Sequence, residues 1–183
     1  MITKYRSLLL IVLATMALGP GTAAAHAAAI TLPDTSQTTT MTANVSDQAT
    51  VTVPATLTFT VNNDAVATTA TAAVTVTNIA LASATKQLQI SLQANASSFT
   101  PPVALATTWN AADVSWAAGA WTTGTGSSGT LSSSAYNIVA SCTAGASGCN
   151  NAALVFTLAA KSGVTIAGNH TLTMTWKFAS IGT

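Results

Sequence analysis

An all-β fold is predicted by three features of this sequence: period-two alternation of apolar with Thr or Gln residues, turn residues at short intervals, and no helical stripe with caps. The clearest alternation covers residues 49–61. Ala49, Val51, Val53, Ala55, Leu57, Phe59 and Val61 are apolar, and Thr50, Thr52, Pro54, Thr56, Thr58 and Thr60 stand between them. Successive side chains of a strand point to opposite faces, so such a segment buries one face and wets the other. The Ala-rich stretches are interrupted by Thr, Ser and Gly, which favour turns or extended chain over helix.

Each element follows from local chemistry. Lys4 and Arg6 precede an apolar run over residues 8–18, then Gly19-Pro20-Gly21 and small residues up to Ala29. That order is a secretory signal peptide over residues 1–29, cut after Ala25 or Ala29. The apolar run is short of the roughly 20 residues that span a bilayer, and no second such run follows, so a mature chain without a membrane anchor is expected. Residues 30–47 form an N-terminal extension or first strand, with Met41, Ala43 and Val45 alternating against Thr40, Thr42 and Asn44. The strand over 49–61 meets Pro54, which donates nothing to a ladder and so marks a break or a sheet edge. Asn62-Asn63-Asp64 makes a turn. Further strands are expected over 71–77, 88–94, 114–118, 136–142, 153–159 and 171–178, and the Gly/Ser/Thr segment 122–134 is expected as a mobile surface loop or hairpin tip. Seven or eight strands in about 155 mature residues predict an antiparallel β-sandwich of immunoglobulin-like or jelly-roll type over 48–183.

Composition narrows the function classes. Charged residues make up 5% of the chain and hydrophobic ones 49%, against roughly 25% charged in ordinary globular domains. A nucleic-acid binder needs clustered Lys or Arg to neutralise phosphates, and no such cluster exists. After the leader, three lysines (Lys86, Lys161, Lys177) stand against four aspartates (Asp34, Asp47, Asp64, Asp113), a net charge of −1, with no Glu or Arg. Low net charge removes the repulsion that keeps copies apart.

The same inventory is poor for catalysis. General acid–base or nucleophilic chemistry needs a positioned base or metal, and His170 is the one histidine after His26. It lies in Gly168-Asn169-His170-Thr171, read as a turn before the last strand. No G-x-S-x-G element is present, and Asp64 lacks the neighbouring acids that calcium prefers. No enzyme, cofactor or metal site is expected. Cys142 and Cys149 enclose six small residues; in an exported chain this predicts a local disulfide rather than a redox pair or metal ligands. Trp109, Trp116 and Trp121 are clustered. Trp116 shares a face with Val114 and is expected in the core, as is Trp176. Trp109 and Trp121 flank the strand and are the candidate exposed contacts, since aromatic faces stack on sugar rings and partner surfaces.

The terminal run Ala167-Gly168-Asn169-His170-Thr171-Leu172-Thr173-Met174-Thr175-Trp176-Lys177-Phe178, with Thr52-Val53-Pro54-Ala55-Thr56-Leu57-Thr58-Phe59, resembles uncharacterised secreted bacterial surface β-sandwich proteins. It is distantly similar to the WxL surface domain, although no Trp-x-Leu triplet occurs here, and to immunoglobulin-like fimbrial subunits in general build. The resemblance implies a cell-surface protein. The expected function is a secreted, non-enzymatic structural or adhesive protein, self-assembling into filaments by β-strand addition with Met41, Ala43 and Val45 as the donor strand. The alternative is a monomeric module that binds a glycan or surface partner through Trp109, Trp121 and the Gly/Ser loop.

Overall fold

The computed structural model describes residues 31–33 and 38–182. The expected signal peptide and its cleavage sites lie outside them. The chain divides into two units, Met1–Thr42 and Ala43–Thr183, and among the described residues the strands belong to the second.

That unit is an all-β sandwich of nine strands, with one 3-10 turn at Ala111–Asp113 and no α-helix among the described residues. The strands are β1 (Gln48–Thr52), β2 (Thr68–Ala80), β3 (Gln87–Ala94), β4 (Val114–Trp116), β5 (Gly124–Gly126), β6 (Gly129–Thr130), β7 (Asn137–Thr143), β8 (Asn151–Leu158) and β9 (Met174–Ile181). One sheet has the order β1-β2-β8-β4-β6 and the other β5-β7-β3-β9. Every pairing is antiparallel. From β2 onward the chain changes sheet at each step, so the two layers are laced together by their own connections.

The inner faces follow the alternation. Ala72, Val74 and Val76 of β2, Leu88, Ile90 and Leu92 of β3, and Leu154, Phe156 and Leu158 of β8 are buried, while Thr71, Ala73 and Thr75 are exposed. At roughly 1.5–3 kcal/mol for each large side chain removed from water, this interlayer core is the main stabilising term. The Cys142–Cys149 disulfide forms, with both residues fully buried and Cα atoms 5.9 Å apart. It ties the end of β7 in one sheet to the start of β8 in the other.

Three expectations are corrected. The strand over 49–61 pairs only as far as Thr52, because Pro54 offers no N–H and the chain leaves β2 there. Residues 40–45 form no strand. The Gly/Ser/Thr segment 122–134 is not a free loop: it supplies β5 to one sheet and β6 to the other. Its glycines serve close packing. A Cβ on Gly124 would lie 2.7 Å from the Ser141 carbonyl oxygen, and one on Gly129 would lie 2.4 Å from the Trp116 ring.

Candidate functional site: an open cleft at the sandwich edge

β1 and β9 are the edge strands on one side of the two layers. At one end they are held together. Asp47, immediately before β1, pairs with Lys86 Nζ at 2.8 Å and accepts from the Ala82 N–H, and its carboxylate also bonds Ser180 of β9. The hydrogen bond from Lys86, with those from Ser180 and Ala82, lowers the Asp47 pKa to about 2.

Toward the other end the edges part. Beyond β1 the chain bends at Ala55, and among the described residues none of the main-chain N–H or C=O groups of 54–61 is hydrogen-bonded. Their alternation persists all the same, with Leu57, Phe59 and Val61 half-buried and Thr56, Thr58 and Thr60 exposed. Before β9, residues 165–170 are also unpaired along the main chain except at the Ile166 carbonyl, which faces His170 Nε2 at 3.0 Å. The chain rejoins the fold at Thr171, which exchanges two main-chain bonds with Thr100.

Between these two walls lies a cleft of about 1220 Å³. Its floor is the sandwich core itself: Trp109, Val114, Leu131 and Leu158 reach it from inside. Leu172, Met174 and Trp176 line it from the β9 side. The volume exceeds the roughly 300–1,000 Å³ usual for small-molecule sites. An eight-residue wall is about 26 Å long at the rise of a strand.

The walls are joined at the far end. The Asp64 carbonyl accepts from Lys161 N at 2.6 Å, and its carboxylate accepts from Gly163 N at 3.0 Å. Asp64 thus ties the two walls together, while within the Asn-Asn-Asp turn it is Asn63 Oδ1 that accepts from the Ala65 N–H at 3.0 Å. His170 fixes the second wall through Thr108 Oγ1 at 2.8 Å and Ile166 O, with its ring edge-on to Trp109 at 5.3 Å. Below, Lys161 Nζ pairs with Asp113 at 2.8 Å. Partial burial alone would raise the Asp113 pKa, but the bonds from Lys161 and the Asn110 N–H outweigh it and hold the carboxyl below its usual range.

Trp109 and Trp121, the candidate exposed contacts, are 5% and 9% exposed, so they present no aromatic platform on the surface. Trp109 donates to the Ala159 carbonyl at 3.0 Å, and flanking a short strand brought both rings into the core rather than to a loop tip. Trp116 is buried as expected, donating to Ser127 O at 2.9 Å. Trp176, expected in the core, is only half-buried because the inner face of β9 lines the cleft. Met41 and Val45 are 93% and 65% exposed, and Ala43 is exposed as well. Among the described residues no group of three or more His, Cys, Asp or Glu is placed to hold a metal ion. The cleft was not anticipated, although its signal was present: alternation continuing past a proline that stops the ladder.

Comparison with protein-family models, curated proteins and solved structures finds no match for this chain.

Proposed function

We propose that this is a secreted structural or adhesive surface protein that works by β-strand addition, taking an extended segment into the edge cleft. The observation that carries this reading is the pair of walls without main-chain partners, facing each other across a cleft with an apolar floor. Unpaired strand edges are templates for another strand, and natural sheets usually protect them with charge, bulges or cover. Here residues 54–61 and 165–170 carry no Lys, Arg, Asp or Glu, and His170 is their one ionisable group. An inserted strand would bond its main chain to the walls and place alternate side chains on the apolar floor, the recognition mode of strand addition.

The test is the assembly state of the mature chain, read by light scattering, electron microscopy and hydrogen exchange. Assemblies are expected in which the amides of 55–61 and 165–170 exchange slowly. Ile166→Asp, at a partly exposed position lining the cleft, is expected to remain folded by circular dichroism and to lose assembly. A chain that stays monomeric at every concentration, with both walls exchanging fast, overturns the reading.

A further inference from the structure

Resting on that strand-addition reading, we infer that the occupant of the cleft is residues 38–46 of a second copy of this chain, with Met41, Ala43 and Val45 turned onto the core floor. Three observations lead there. First, this arm has the pattern the cleft requires. Thr38, Thr40, Thr42, Asn44 and Ser46 alternate with Thr39, Met41, Ala43 and Val45, so one face is mostly apolar, the other polar, and neither is charged. Nine residues also match the length of the wall formed by 54–61. Met41 and Val45 are among the most exposed large apolar side chains described, and residues 38–46 take part in no strand.

Second, the root of the arm is fixed. Asp47 is held by Lys86, Ala82 and Ser180, and from Gln48 onward the chain is committed to β2. To fill its own cleft the arm must reverse at Ser46-Asp47 and run back beside β1. A two-residue reversal of that kind needs positive φ, which Gly or Asn supplies. Neither Ser46 nor Asp47 has it; the described non-glycine residues with positive φ are Asn78 and Leu105.

Third, root and cleft lie at opposite ends of the sandwich. Gln48 pairs with Ala80 at the end of β2, whereas Leu158 on the cleft floor pairs with Thr68 at its start. On β9, Ser180 touches the root while Met174 lines the cleft. Twelve strand steps separate the ends of β2, about 40 Å. Donor at one end and acceptor at the other make a head-to-tail contact that repeats without closing, hence a filament.

The experiment uses full mature chains altered in one half of the contact. An arm variant, Met41→Asp with Val45→Asp, keeps its cleft but buries charge if it donates, which weakens association by about a hundredfold or more. A cleft variant, Ile166→Asp, with Leu57→Asp as a second choice, keeps its arm. Each alone is expected to be monomeric, and an equimolar mixture is expected to give 1:1 dimers and no filaments. Thr42→Asp, on the outward face of the arm, is expected to assemble as the unaltered chain does. If the arm variant still forms filaments while the cleft variant does not, another segment is the donor; this inference falls and strand addition stands. If both variants assemble, the cleft reading falls with it. Monomers of each that fail to pair on mixing also overturn the second-copy arm.

Discussion

Trp109 shows how much the meaning of one residue depends on what surrounds it. A tryptophan beside a short strand in a Thr-rich chain invites a surface role, yet its indole N–H is satisfied by Ala159 O and its ring stands between Phe99 and His170. Its expected role is therefore packing. Trp109→Ala should lower unfolding free energy by about 3–5 kcal/mol, measured by denaturant titration, whereas a surface contact would cost little. Trp121 differs in one respect, because its buried indole N–H has no partner and neither has Asn151 Nδ2; an unmet buried donor costs about 1–3 kcal/mol. The disulfide was legible from the spacing of Cys142 and Cys149 together with the expected leader. Closing so short a ring is worth on the order of 2.5 kcal/mol by loop entropy, enough to hold the crossover from β7 to β8.

At the scale of elements, two ion pairs fasten segments that the ladders leave loose. Asp47–Lys86 holds the start of β1, and Asp113–Lys161 holds the turn that leads to the second wall. Both carboxyls titrate below their ordinary value, Asp47 at about 2. A depressed carboxyl stabilises the fold above its unfolded pKa, about 3.9, and that contribution is lost as pH falls through the folded value. The melting temperature is expected to be unchanged by these groups from pH 8 to 5 and to drop below pH 4. In the variant carrying Asp47→Asn and Asp113→Asn the acid step should shrink; a step of undiminished size would show that these carboxyls do not carry it. Strands β2, β3, β7 and β8 were legible within a few residues because alternation and ladder coincide in them. In residues 53–61 they part company. Val53, Leu57, Phe59 and Val61 obey the pattern, yet Pro54 denies a hydrogen bond at the point where β2 would be followed. Strands β5 and β6 escaped notice because Gly124, Gly126 and Gly129 carry no side chain to alternate.

For the whole molecule, the proposed added segment would fill the cleft between residues 54–61 and 165–170. The proposed contact is apolar on its floor and main-chain on its walls, and the arm carries no charge. Association should therefore hardly change between about 0.05 and 0.5 M sodium chloride, since screening acts on charges. A steep loss with salt, followed by light scattering, would point to an ionic contact elsewhere.

The all-β class, the main strands, the disulfide and the want of charge are all written in the order of residues, because each depends on side-chain chemistry repeated at short range. The sequence also contains the alternating arm over residues 40–45. Which alternating segments acquire partners is settled by the folded arrangement. Period-two patterning states that one face of a strand seeks burial; whether a ladder forms depends on the backbone of a distant strand lying within hydrogen-bonding reach. For residues 54–61 and 165–170 no such strand arrives, and the open cleft between them results.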